Sequence, residues 1–186
     1  MSSHYFIGIP MPDHVRTWLK EWQEQLKRDL SYGVWTHELD FHITLKFLGA
    51  VEEDKVHVLQ EKLKDTQVSP FDMKIGELGH FGNPYQPRVV WAGAEKHQQL
   101  LTLQKEVEVV CENLGFPPEK RPYNPHITLA KKWRGDKELS QKLEALHDQL
   151  DRIDRITVDH FTLFKIHPKS DQKYEAVQRF PLQGTK

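Results

Sequence analysis

The sequence predicts an α+β fold made of two related halves, and three observations carry the prediction. The tetrapeptide His42-Ile43-Thr44-Leu45 returns as His126-Ile127-Thr128-Leu129. The two copies lie 84 residues apart in a chain of 186, close to half its length. Around the first copy, apolar and non-apolar side chains alternate strictly from Phe41 to Lys46, the period-two signature of a half-buried strand. Each copy is then followed by a segment of helix-like apolar spacing. Such a pattern is expected of a duplicated βα-type unit whose halves have drifted apart.

Taken in order, His4 to Ile9 reads as a short buried strand closed by Pro10 and Pro12, with Asp13 at a helix N-cap position. From His14 to about Leu30, Val15, Trp18, Leu19, Trp22, Leu26 and Leu30 recur at three- and four-residue steps, which defines an amphipathic helix. Gly33 breaks it, and Val34-Trp35 begins an extended run leading into the first repeat strand, which Gly49 ends. Glu52-Glu53-Asp54 place negative charge in the first turn of a second helix, whose stripe is Val56, Leu59 and Leu63. Phe71 to Leu78 and Arg88 to Gly93 read as strands. Between them, Gly79 to Pro87 reads as a loop long enough to form part of a site, carrying Phe81 and Tyr85. Glu95 to Leu114 is the clearest helix, stopped by Gly115. Pro125 removes a ladder donor and so fixes where the second repeat strand begins. Gly135-Asp136 then opens a helix through Leu139, Leu143, Leu146 and Leu150. Ile153 to Phe164 forms one long strand region, and Tyr174 to Phe180 the last strand.

A hydrophobic fraction of 38% and a charged fraction of 28% belong to a globular protein, neither disordered nor fibrous. No linker or low-complexity tract divides the chain, so residues 1–186 are expected to form a single two-lobed domain. A net charge of −1 supplies no global field for polyanions. Any nucleic-acid partner is therefore held locally, as a short end or a mononucleotide. Cys111 is the single cysteine, which excludes internal disulfides and four-cysteine metal sites. Tyr5 to Ile9 is too short for a signal core or a membrane span, so the default address is the cytoplasm. A monomer is expected.

On the open faces, Ile43 and Leu45 face the core in one copy and Ile127 and Leu129 in the other, so His42 with Thr44, and His126 with Thr128, face outward. An imidazole with a pKa near ~6.5 serves as either base or acid near neutrality. Two of them facing one cleft suit in-line displacement at phosphorus, one taking a proton from the attacking water and the other protonating the departing oxygen. Hydroxyls two residues along can donate to the non-bridging oxygens. This chemistry calls for no side-chain nucleophile, cofactor or metal, and the spacing contains no His-Glu-x-x-His cluster.

These residues resemble the two-histidine (2H) phosphoesterase superfamily, and within it the LigT-like RNA 2′,3′-cyclic phosphodiesterases, also called 2′-5′ RNA ligases. The likeness covers Tyr5 to Pro10, Trp35, Phe41 to Gly49, Arg88 to Trp91, Asn124 to Ala130, Leu163-Phe164, Tyr174 and Phe180 to Leu182. It implies a two-lobed, pseudo-symmetric α+β fold, with antiparallel sheets lining a central cleft and helices outside. It also implies hydrolysis of an RNA terminal 2′,3′-cyclic phosphate to a 2′-phosphomonoester, with reverse 2′-5′ ligation as a companion. His42 would be the proton donor, His126 the proton acceptor, and Thr44 and Thr128 the phosphate binders. The partners implied are RNA ends or nucleotides bearing the cyclic phosphate.

The chain departs from the family at Lys131, where arginine is common five residues beyond the histidine, and at Phe164-Lys165-Ile166, where Tyr-Arg-Ser is frequent. Lysine offers a point charge instead of a two-pronged contact. Strict alternation also turns Lys131 inward and Lys132 towards the cleft, so a bulge is needed to restore the family geometry. Phe47 and Tyr123 are further candidate substrate contacts, although alternation assigns Phe47 to the core. A module that binds a nucleotide or RNA end without turnover, or a 2H phosphodiesterase for another cyclic or 2′-5′ linked nucleotide, would carry the same motifs.

Overall fold

The computed structural model describes residues 2–135 and 140–183. In chain order the elements are β1 (Ser3–Pro10), α1 (Asp13–Asp29), β2 (Tyr32–Trp35), a 3₁₀ turn (Glu38–Asp40), β3 (His42–Val51), α2 (Glu53–Leu63) and β4 (Phe71–Phe81). There follow β5 (Val89–Ala94), α3 (Gln98–Asn113), β6 (His126–Trp133), α4 (Ser140–Gln149), β7 (Ile153–Val158), β8 (His160–Ile166) and β9 (Tyr174–Pro181). Asp136 and Leu139, which the sequence gives to the start of α4, lie outside the described residues.

Among the described residues, nine strands form one antiparallel sheet in the order β7-β4-β5-β6-β3-β1-β8-β9, with β2 paired to β6. The helices lie outside it. The repeat strands β3 and β6 meet at its centre through Ile43 opposite Ile127, and each half reads outward from there: β3-β1-β8-β9 on one side, β6-β5-β4-β7 on the other. The halves exchange strands, because β4 follows α2 yet joins β5, and β8 follows β7 yet returns to β1. Asp159 therefore divides the expected single strand from Ile153 to Phe164 into two that serve opposite halves.

Most helix positions follow their apolar stripes. On α1, Val15, Trp18, Leu19, Trp22 and Leu26 are buried as expected, and Gln23 joins them. Asp13 is the first helical residue instead of the cap, which is Pro12. On α2 the buried residues are Val56, Leu59 and Leu63. The run at Val34-Trp35 does not lead into β3. It pairs with β6, and the 3₁₀ turn intervenes.

Strict alternation fails at the same place in both repeats. Along β1 and β3, Ile7 pairs Lys46 but Gly8 pairs Thr44, so Leu45 is an extra residue. Along β5 and β6, Val90 pairs Ala130 but Trp91 pairs Thr128, so Leu129 is extra. Each is a bulge three residues after its histidine, and each puts two consecutive side chains on the core side: Leu45 with Lys46, and Leu129 with Ala130. Side chains beyond the bulge therefore change face. Lys46, expected on the open face, is buried and ion-paired with Glu108 of α3, while its ammonium also donates to Pro117 O at 2.7 Å. Phe47, assigned inward by alternation, is instead 66% exposed. Lys131 is likewise turned outward.

Hydrogen bonds brace both bulges. Leu129 O accepts from the Gln23 amide at 2.9 Å and from Thr36 N at 3.0 Å. Thr44 O, beside the other bulge, accepts from the Tyr123 hydroxyl at 2.8 Å. Satisfying these carbonyls offsets the loss of regular ladder pairing.

Candidate active site

Extending the register from Ile43 opposite Ile127 by one residue each way places His42 across from Thr128 and His126 across from Thr44. All four point away from the buried isoleucines, which are 0% exposed. Directly opposed residues stand about 5 Å apart at Cβ and diagonal ones about 7–8 Å. The two imidazoles therefore occupy one diagonal of a small square and the two hydroxyls the other, a space suited to a single tetrahedral anion.

Both rings are held in the same way. His42 Nδ1 lies 2.7 Å from Asp40 O, and His126 Nδ1 lies 2.7 Å from Asn124 O. A carbonyl only accepts, so Nδ1 carries the proton in each ring and Nε2 of the neutral form is bare. His42 Nε2 sits 2.8 Å from Thr44 Oγ1, whose hydroxyl then donates to it. Burial holds the pKa of His42 down to about 4, opposed by the Asp40 carbonyl and reinforced by His126 and by Lys131. Burial lowers His126 as well. Both rings are neutral in the free protein at pH 7.

Around His42 stands an aromatic wall that sequence reasoning gave to the core or left without a role. The Phe6 ring lies 4.5 Å from the imidazole, Tyr174 meets it edge-on at 5.2 Å, and Phe164 stands 6.3 Å away and stacks on Phe6 at 4.9 Å. Phe47 joins from the open side, 6.0 Å from Phe6. Phe6 and Phe164 are buried but stand apart from the main core cluster, which takes Tyr5, Ile7 and Ile9 from the same strand. The legible signal was that every residue from Tyr5 to Ile9 is apolar or glycine, as in a strand covered on both faces. Gly8 lies beneath the ring, where an added Cβ would come within 3.2 Å of His42 Cδ2. Around His126 stand Phe81, edge-on at 4.8 Å, and Trp91 at 6.0 Å. Phe81 closes β4 instead of lying in the expected loop.

Asp40, also missed from the sequence, is 4% exposed and anchors the first motif. Its carboxylate accepts from Lys173 N at 2.7 Å and Tyr174 N at 3.3 Å while its carbonyl orients His42. Burial raises its pKa against those bonds. The β8–β9 connection is thereby tied to the first histidine. Lys131 reaches the same neighbourhood, and burial lowers its pKa, followed by the charges of Lys132 and Lys173. Lys132 sustains the outward turn with a left-handed φ of 63°. Thus His42, Thr44, His126, Thr128, Lys131 and Phe47 share one face. Tyr123 approaches from behind β3, its hydroxyl engaged with Thr44 O.

Residues 11–169 match the 2′-5′ RNA ligase superfamily. An RNA 2′,3′-cyclic phosphodiesterase of Bacillus subtilis (strain 168) is 33% identical over 181 residues, covering 96% of this chain and 96% of that one. A Geobacillus stearothermophilus protein of the same name is 33% identical over 184 residues, covering 98% of this chain but 58% of its own length. Among solved structures, E. coli LigT complexed with 3′-AMP superposes with a TM-score of 0.76 at 20% identity, covering 98% of this chain and 99% of that one. A Thermus thermophilus protein gives 0.77 at 24%, covering 98% and 100%. The structural likeness speaks for the fold, and the sequence match over most of the length settles the lineage: this chain belongs to the 2′-5′ RNA ligase superfamily.

Proposed function

We propose that the protein is a single-domain RNA 2′,3′-cyclic phosphodiesterase. It opens a terminal cyclic phosphate to a 2′-phosphomonoester by acid–base catalysis between His42 and His126, with no metal in the reaction. The observation that supports the reading is the central register of Ile43 opposite Ile127, from which two imidazoles and two hydroxyls would surround one phosphate. The names of the relatives support the same substrate class.

The free site is set for a base and lacks a standing acid, because both rings are neutral near pH 7. His126, with Nε2 bare, takes the proton of the attacking water. The substrate phosphate carries the negative charge that His42 lacks as a partner, and an anion a few ångströms from an imidazole raises its pKa. Protonation of His42 Nε2 also ends its acceptance from Thr44, whose hydroxyl is released to donate to a non-bridging oxygen beside Thr128. The Nε2 proton then passes to the 3′ oxygen as the P–O3′ bond breaks. Lys131 adds positive charge at the phosphate, and Phe47 offers an exposed ring face for the base. Asp40 and Tyr123 position the first motif without touching substrate.

Incubating the protein with adenosine 2′,3′-cyclic phosphate in excess EDTA and resolving the 2′- from the 3′-monophosphate tests this directly. The 2′ product is expected. Absence of turnover would leave a nucleotide-binding module, and a 3′ product would exchange the assignment of the leaving oxygen.

A further inference from the structure

Gln23 is the most deeply buried polar side chain among the described residues, at 0% exposed. It lies on the α1 face that otherwise packs Val15, Trp18, Leu19, Trp22 and Leu26 into the core. Its amide nitrogen carries two hydrogens and places both, one on Thr36 O at 2.8 Å and the other on Leu129 O at 2.9 Å. The whole donor capacity of the side chain is therefore spent on two backbone carbonyls from different segments. Gln23 Oε1 is buried and has no hydrogen-bond partner among the described residues, an oxygen that packing alone gives no reason to bury. Asp40 and Lys46, two of the other buried polar residues, adjoin the first motif. Gln23 is their counterpart for the second.

The two carbonyls lie where β6 changes neighbours. It meets β3 at Ile127 opposite Ile43, and from Ala130 onward the strand on that side is β2, with Trp35 opposite Ala130 and Val34 opposite Lys131. Leu129, the extra residue of the bulge, sits at the changeover, and Thr36 N donates to its carbonyl at 3.0 Å. Gln23 closes this junction from the helix side. Two residues beyond the bulge stands Lys131, with Val34 on one flank and Val89 on the other. Because successive residues of a strand alternate between faces, Lys131 reaches the cleft only while Leu129 stays out of register. Were Leu129 to take a regular ladder position, Ala130 would turn to the cleft and Lys131 to the core. Lys132, with a φ of 63°, follows at once, so the backbone is irregular on both sides of Lys131 and takes its course from what holds it.

We infer that Gln23 is a positioning residue for the second motif, holding the Leu129 bulge so that the Lys131 ammonium stays over the phosphate. The inference rests on the cyclic phosphodiesterase reading above, in which Lys131 adds positive charge there. Gln23 itself touches no substrate, being fully buried on the helix side of the sheet. Loss of its amide would strip Thr36 O of this donor and leave Leu129 O with Thr36 N. The bulge then relaxes and Lys131 faces the cleft for less of the time. Two consequences follow. KM rises, because the phosphate meets less positive charge, and His42 takes a proton more readily, because the ammonium opposes its protonation. The Asp40 carbonyl and His126, which also act on that ring, keep their places.

Gln23→Met keeps the length of the side chain and donates nothing. With adenosine 2′,3′-cyclic phosphate as substrate, KM should rise about fivefold while kcat stays within about twofold, the larger factor being that by which one ordinary hydrogen bond weights a two-state equilibrium. By NMR the His42 ring should titrate at higher pH, the direction expected of Lys131→Met. In a Lys131→Met background, adding Gln23→Met should change KM by less than about twofold, because the charge it positions is gone. Gln23→Glu keeps the shape and, held protonated by burial, one of the two hydrogens, so its KM should fall between those of the wild type and Gln23→Met. Leu26→Ala empties a buried site one turn along the same helix. It controls for lost stability, and should leave KM and the His42 titration in place. An unmoved KM and titration in Gln23→Met, an equal rise of KM in Leu26→Ala, or the same rise persisting without Lys131 would each overturn the positioning role. Should Gln23→Met not fold, Gln23→Glu decides by the same criteria. A wild type that leaves the cyclic phosphate intact would sink the phosphodiesterase reading instead, and the His42 titration would still judge Gln23.

Discussion

Acidification should destabilise this protein through His42, whose ring is packed against Phe6 and Tyr174. Burial holds the folded-state pKa at about 4 against an ordinary 6.5. The folded chain thus binds this proton more weakly than the unfolded chain, and the stabilisation is whole above about pH 6.5 and is lost as pH falls towards about 4. Integrated from pH 7 to pH 4, the linkage amounts to about 3 kcal/mol from this one ring. That is a large part of an ordinary domain's ~5–15 kcal/mol. Carboxylates titrate over part of the same range, so the measurement must be a difference. Urea unfolding at half-unit steps of pH is followed in the wild type and in His42→Gln, which removes the titration while keeping a polar side chain. The wild type should lose about 3 kcal/mol more than the variant between pH 7 and pH 4. Two curves falling in parallel within about 1 kcal/mol would mean that the imidazole is not desolvated as its aromatic neighbours require, and the account of the neutral free site would fail with it.

His42→Ala and His126→Ala should each lower kcat by about 10²–10⁴-fold with EDTA present, and full activity in either would remove that histidine from the reaction. A substrate with sulfur in place of the 3′ oxygen leaves without a proton, so it should rescue His42→Ala but not His126→Ala; the opposite pattern would exchange acid and base. Because both imidazoles are depressed below 6.5, kcat/KM should peak on the acid side of 6.5, falling above it as His42 loses its proton and below it as His126 gains one. A maximum above pH 7 would contradict this. Lys131→Met removes a charge that opposes protonation of His42, so its ring should titrate at higher pH by NMR while KM rises; an unmoved titration would place the ammonium elsewhere. Lys46→Met alone leaves the nearly buried Glu108 without its cation and should cost about 3–5 kcal/mol, whereas Lys46→Met with Glu108→Leu should recover much of that loss in urea unfolding.

What could be read from the residues was whatever repeats locally. The stripes of α1, α2 and α3, the strand character around His42 and His126, and the pairing of imidazole with hydroxyl on one face all follow from periods of 3.6 and 2, which neighbouring side chains carry between them. The repeated His-Ile-Thr-Leu also marked the two strands that meet at the centre of the sheet. Strict alternation failed just beyond each motif, because a bulge adds one residue to a strand and inverts the facing that follows: Lys46 and Phe47 were misassigned by it, while at Lys131 the family likeness had called for a bulge that alternation alone could not supply. Nothing in Leu45 or Leu129 announces a bulge. It is decided by which strand lies alongside, and by Gln23, Thr36 and Tyr123 reaching in from elsewhere in the chain to satisfy carbonyls at or beside the bulges.

The same distinction separates the motif from the site. Sequence by itself determined that two strands would each present a histidine and a threonine. Only the tertiary structure brought them into one register through Ile43 and Ile127, wrapped His42 in Phe6, Phe164 and Tyr174, and brought Gln23 to the bulge at Leu129. Ring pKa and cleft shape are set by contacts between segments distant in the chain, and local periodicity carries no record of which distant segment will arrive.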